Sequence, residues 1–134
     1  MIKTATEFIM LRQSDNMSEQ YRASHDTADI KVWFDVIKKY PDFKTWVIHN
    51  KTIPIEILEF LATDGDPNVR SEVARKRKIN DNIFFLLSKD KDENVRYALM
   101  CNTKLTFEKR QTIKMDDSPW LRKRFADITK NVRR

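Results

Sequence analysis

Glycine and cysteine are almost missing from this chain of 134 residues: each occurs once, as Gly65 and Cys101, and proline occurs four times. Each scarcity excludes something. A single glycine cannot build a phosphate-cradling loop of the G-x-G-x-x-G or G-x-x-x-x-G-K type. So few turn residues cannot supply the many tight corners of a sandwich or a barrel, which points to an all-α fold. One cysteine permits neither a disulfide framework nor a multi-thiolate metal site, and suits a reducing compartment. The two histidines, His25 and His49, stand at neither H-x-x-x-H nor H-E-x-x-H spacing, so no metal is expected. The longest apolar run, 83–87, is far too short to span a bilayer. The first ten residues contain Glu7 and no long apolar stretch, so they do not read as a secretory signal. The expectation is one cytoplasmic helical domain over 1–134, with no membrane segment, metal or cofactor.

Charge and apolar residues are plentiful, at 34% and 40%, and the latter include 8 Phe and 3 Trp, enough to build a core. The net charge of +6 is unevenly spread. Residues 1–69 carry 8 Lys and Arg against 11 Asp and Glu, whereas residues 70–134 carry 18 against 9. A basic C-terminal half favours an anionic partner, either nucleic acid or an acidic protein surface.

Self-similarity at a period of 26 residues is the most informative feature. Asp64, Asp66, Asn68, Val69 and Arg70 fall on Asp90, Asp92, Asn94, Val95 and Arg96. Ile57 and Leu61 fall on Ile83 and Leu87, and Lys78 falls on Lys104. One period on, Asp116, Leu121, Arg122 and Lys130 keep register. One period back, Pro41, Phe43, Lys44 and Val47 align with Pro67, Val69, Arg70 and Val73. Four units result, at 27–52, 53–78, 79–104 and 105–130, with a helical cap at 1–26 and a basic tail at 131–134. Such fixed-period similarity marks a repeat architecture.

Each unit reads as two short helices. Helix A carries Ile57, Leu58 and Leu61, repeated as Ile83, Phe84 and Leu87. Helix B starts at Asp66-Pro67, Asp92-Glu93 and Ser118-Pro119, where Asp or Ser accepts orphan N–H bonds and Pro suits the first turn. It buries Val69 and Val73, then Val95 and Leu99, then Leu121 and Phe125, each pair four apart. The first unit opens with Ile30, Trp33, Phe34 and Ile37 on one stripe, and Glu7–Arg12 and Glu19–Ala23 are short helices ahead of it. In the last unit Lys109 and Arg110 stand where helix A should be apolar.

Paired helices at this period, with Leu-x-x-Asp-x-Asp-x-x-Val-Arg in the two central units, resemble the HEAT-like and variant leucine-rich repeat α-solenoids of bacteria. The resemblance covers about 27–130 and implies a short right-handed α-solenoid. It implies that the Arg column bonds the Asp ahead of helix B as a ladder between units, with Asp64, Asp90 and Asp116 available. It also implies that helix B lines a binding face. Small proteins of this kind serve as scaffolds, regulators or immunity-type inhibitors of toxins. The alkylpurine DNA glycosylases of the same architecture grip DNA on a basic face, and Asp127 beside Arg124 and Trp120 is the nearest imitation of their catalytic group. Some variant leucine-rich repeat proteins carry an iron–sulfur cluster, which Cys101 alone cannot hold.

Asp64-x-Asp66-x-Asn68 and Asp90-x-Asp92-x-Asn94 imitate the start of a calcium loop, but Val69 occupies the glycine turn and Arg75 the bidentate glutamate, so capping is the better reading. The column Lys44, Arg70, Arg96, Arg122 is read as structural rather than phosphate-binding. The positions that vary between units are the functional candidates: Thr45, Ser71, Tyr97, Lys123; Trp46, Glu72, Ala98, Arg124; and His49, Arg75, Cys101, Asp127. The leading expectation is a non-enzymatic module that binds a protein partner through Trp46, His49, Arg75, Tyr97, Trp120, Lys123 and Arg124. The rival is sequence-independent nucleic-acid binding through Arg75, Lys76, Arg77 and Lys78, continued by Lys104, Lys123, Arg124, Lys130, Arg133 and Arg134.

Overall fold

Side-chain caps start most helices of this chain. The computed structural model describes the backbone of residues 1–132 and the side chains of residues 1–130. Arg133 and Arg134 of the basic tail lie outside the described residues. Helix α1 (Ala5–Gln13) begins where Thr4 Oγ1 accepts from Glu7 N, while the Glu7 carboxylate accepts from Lys3 N at 2.8 Å. Asn16 caps α2 (Met17–His25), and Asp29 caps α3 (Ile30–Lys39). A 3-10 turn at Pro41–Phe43 leads into α4 (Lys44–His49), and α5 (Ile55–Leu61) follows. Asp66 and Asp92 accept from the amides of Asn68 and Asn94, starting α6 (Pro67–Ala74) and α8 (Glu93–Met100). Asn80 caps α7 (Asp81–Leu87), and Thr106 caps α9 (Phe107–Gln111). Ser118 Oγ accepts from Leu121 N at the start of α10 (Pro119–Val132). The described residues are thus all-α, with two α-helices inside each of 27–52, 53–78 and 79–104, and a last helix that runs past 130.

Backbone contacts divide the chain into two compact units, Met1–Phe60 and Leu61–Arg134. The boundary falls inside the repeat at 53–78. In the first unit α1 packs against α2 and α3, and α3 packs against α4. Its core joins Phe8 to Trp33 edge to face, with centroids 5.2 Å apart. In the second unit α6 packs on α8, α7 touches both, and α8 packs on α10. Ile57, Leu58, Leu61, Ile83, Phe84, Leu87, Val69, Val73, Val95, Leu99 and Leu121 are all buried, as the repeat columns predict. Phe125 is only partly covered and stacks on Phe107.

Two expectations need correction. In α3 the core face is Val32, Trp33, Val36 and Ile37, while Ile30 and Phe34 stay more than a third exposed. That helix carries apolar residues around much of its circumference, so two stripes fit the sequence and the packing partners choose between them. Ala98, placed among the outward positions of helix B, is buried. Its side chain is small enough to be covered where α8 packs between α6 and α10.

Arg70, Arg96 and Arg122 of the basic column all bond to turns. Arg70 donates from Nε and Nη2 to the Asp90 carboxylate at 2.8 and 3.2 Å, and from Nη1 to the Asp64 carbonyl at 2.7 Å. Arg96 also reaches the turn ahead of the next B helix, but through Nη1 and Nη2, to the Asp117 carboxylate at 2.8 and 3.2 Å, not Asp116. Its Nη1 also donates to the Lys114 carbonyl at 2.7 Å, which leaves its buried Nε without a partner. Asp116 contributes only a carbonyl, to Arg122 Nη1 at 3.0 Å. The turn ahead of α10 is built differently: Ser118 both caps the helix and donates to Glu93, and Asp117 beside it takes the bond from Arg96. Two buried asparagines add a second ladder that the sequence reading missed. Asn50 Nδ2 donates to the Ala23 and Asp26 carbonyls, and Asn102 Nδ2 to those of Ala74 and Lys76, all within 3.0 Å. The two lie two periods apart. Arg110 donates to the carbonyls of Met100 and Asn102, so this basic residue in a nominally apolar helix serves as a C-terminal cap for α8.

Replacing Asp90 by Ala leaves Arg70 buried with only the Asp64 carbonyl, and should cost about 3 kcal/mol, the low end for a broken buried pair. Asp116→Ala should stay within about 0.5 kcal/mol. Urea unfolding compares the two, and equal losses would contradict the assigned ladder. Acid tests the exposed pairs. Hydrogen bonds from Arg22, Lys109 and Arg96 hold Asp26, Asp81 and Asp117 below the ordinary carboxylate value. Their contribution is complete above the unfolded value of about 3.9 and is lost as pH falls through the lowered folded values. Asp117→Asn should therefore flatten the acid limb of a plot of urea midpoint against pH; an unchanged slope would mean that Asp117 titrates alike in both states.

Candidate interaction site

The sequence-predicted residues fall into two groups, one in each unit. In the second unit helix α8 presents Tyr97 and the start of α10 presents Trp120, their ring centroids 5.2 Å apart and tilted by 57°. The Arg124 guanidinium lies 6.0 Å from the Trp120 centroid, one turn further along α10, and reaches the Asp127 carboxylate only at 3.8 Å. Trp120 keeps 37% of its surface exposed, so it neither fills the core nor stands free of it. Cys101, exposed at the end of α8, raises the Tyr97 phenol above its ordinary pKa, through a hydrogen bond first and then through charge; Arg124 opposes this. This cluster brings together three of the expected anchors. Asp127 is exposed and pairs with Arg124 only loosely.

The other predicted cations do not join the cluster. Arg75, which ends α6, forms an exposed pair with Glu72 at 3.2 Å. Lys123 is exposed on α10. Lys76 is half-buried and Arg77 exposed, and partial burial lowers the Lys78 ammonium below its ordinary value. Lys78 and Lys104 both lie in the loops that follow a B helix, but Lys130 sits inside α10, so the three do not occupy one kind of position. The difference arises because α10 runs longer than α6 and α8.

In the first unit Trp46 and His49 lie on α4, their rings 5.5 Å apart and perpendicular. Trp46 is 37% exposed. The guanidinium of Arg12, from α1, lies over the Trp46 ring at 3.4 Å from its centroid. On α2 Tyr21 stacks on His25 at 3.8 Å. Arg12 and Tyr21 were not predicted, because they belong to the cap outside the repeat, where no column comparison reaches. A signal was available for another omission: Phe34, Phe60 and Leu86 occupy one register at 26-residue steps, and all three are exposed.

Among the described residues no helix is long and apolar enough to cross a membrane. No group of three or more His, Cys, Asp or Glu side chains among them is placed to hold a metal ion. Set against protein-family models, curated proteins and solved structures, the chain finds no match.

Acrylamide quenching checks the exposure of the indoles. A W46F/W120F protein retains only Trp33, which is buried, and its fluorescence should be quenched several-fold less steeply than that of the wild type. Similar slopes would mean that Trp46 and Trp120 are covered.

Proposed function

We propose that this chain is a non-enzymatic, HEAT-like α-solenoid protein of about four repeats behind a helical cap, and that it recognises another protein as a scaffold, regulator or immunity-type inhibitor. The repeat reading is supported by the packing of α6 on α8 and of α8 on α10. The bonds from Arg70 and Arg96, each to the turn ahead of the following B helix, support it too. The lone cysteine suits a cytoplasmic setting.

The observation that carries protein recognition is the Tyr97–Trp120–Arg124 cluster. Rings and guanidinium are partly exposed there, and Trp, Tyr and Arg are the residue types that dominate binding energy at interfaces. Arg75 and Lys123 supply positive charge elsewhere on the second unit, suited to an acidic partner. Trp46 and His49 form a separate patch in the first unit.

Affinity capture with the immobilised protein, followed by titration of the captured partner, tests this reading. Tyr97→Ala together with Trp120→Ala should weaken binding by about 30-fold or more, with little change in melting temperature. Unchanged capture overturns the assignment, and a large fall in melting temperature reassigns the rings to the core.

A second reading rests on the cations. Arg77, Lys104, Lys123 and Lys130 make no ion pair with another described residue, which leaves them available to phosphates. Fluorescence anisotropy with duplex DNA, single-stranded DNA and RNA separates the two. Binding that loses about three decades of affinity between roughly 50 and 200 mM salt, and vanishes when residues 75–78 are changed to Glu, would replace the protein-binding reading.

A further inference from the structure

A cleft of about 420 Å³ opens in the first unit between α1, α2 and α4. It is within the size range of small-ligand sites. Arg12, Trp46, His49, Tyr21 and Met17 line it, and Met17 and Tyr21 are well exposed at 84% and 61%. Arg12 is the unusual member. Its guanidinium covers the face of Trp46, its Nε is buried without a hydrogen-bond partner, and it makes no hydrogen bond or ion pair with any described residue.

A cation stacked on a ring gains electrostatic attraction from the π face, but its in-plane N–H donors remain unsatisfied. The carboxyl end of α1 offsets part of the charge, since Arg12 lies in the last turn, yet supplies it no bond. Buried polar groups are ordinarily paired, and an arginine held flat keeps its donor fork fixed for a planar anion. Two other polar side chains of the cleft are engaged within the protein. Gln20 donates to the Ser14 carbonyl, and Ser24 Oγ bonds with the Tyr21 carbonyl and with His25.

One permanent cation, one fixed donor fork and a mainly apolar wall select a singly charged, planar anion attached to an apolar group. A carboxylate matches that fork in plane, whereas a phosphate dianion carries a second charge that one guanidinium does not balance. We propose that the Arg12–Trp46 cleft is a binding site for a carboxylate carried next to an aromatic or aliphatic group. This stands apart from the protein-binding reading, which rests on the second unit.

Phenylacetate, phenylacetamide and inorganic phosphate are the probes, followed by Trp fluorescence and by the chemical shift of the Arg12 Nε–H. Phenylacetate should shift both signals and bind about tenfold or more tightly than its neutral amide, the difference expected of a charge-assisted bond. This comparison uses the unaltered protein and so survives any folding defect in a variant. Arg12→Met, checked by its circular dichroism spectrum, should remove the preference for carboxylate, and Trp46→Leu should weaken both organic probes. Acetyl-Phe-Asp-amide, set beside phenylacetate, tells whether a peptide side chain or a small organic acid is the better source of the carboxylate. Equal binding of acid and amide, tighter binding of phosphate, or undiminished binding by Arg12→Met would each overturn the site.

Discussion

A buried side chain that reaches the turn of a neighbouring repeat is the constraint on which the rest of this structure depends. Arg70 illustrates it: one guanidinium bonds the Asp64 carbonyl ahead of its own helix and the Asp90 carboxylate ahead of the next B helix. The four helices α5 to α8, of seven or eight residues each, are too short to be stable in isolation. Their apolar faces are equally short and specify axial register poorly. A planar fork with fixed donors does specify it, because a shift of one residue would leave a buried charge unpaired. Asn50 and Asn102 apply the same logic with a neutral group, each joining carbonyls about one period back in sequence.

This constraint decides which residues are free for other work. Positions tied into the ladder, such as Arg70 and Asp90, have their fork and carboxylate committed to each other. Tyr97 and Trp120 occupy positions whose identity the ladder leaves open, and their rings meet at the surface of the second unit. Arg12 is the counterexample that makes the rule informative. It has the chemistry of a ladder residue, partly buried and held flat, but no carboxylate or carbonyl answers it.

Much of the fold was legible because repeats compare a sequence with itself. Val69 with Val95, Leu61 with Leu87 and Asp66 with Asp92 identify two core columns and a cap column without any outside reference. The comparison weakened at the ends. Asp116 matches Asp90 in register, yet Asp117 pairs with Arg96, because the turn ahead of α10 runs through Ser118 rather than Asp and Asn. Arg110 looked like a defect in an apolar helix and proved to be a cap for α8, a role that depends on carbonyls eight and ten residues earlier. The candidate sites were legible only in part. Residue type marked Trp46, Tyr97 and Trp120, but nothing in the chain's order indicated that Arg12 would cover Trp46.

The sequence by itself determined the all-helical class, the 26-residue period, the caps and most of the core, because these follow from local chemistry and from positions that repeat. Only the tertiary structure decided which face of α3 is buried, which aspartate answers Arg96 and that Arg12 lies over Trp46 with its Nε unanswered. Those outcomes depend on distances between residues far apart in the chain. A period records where such residues recur, but it does not record which of them meet.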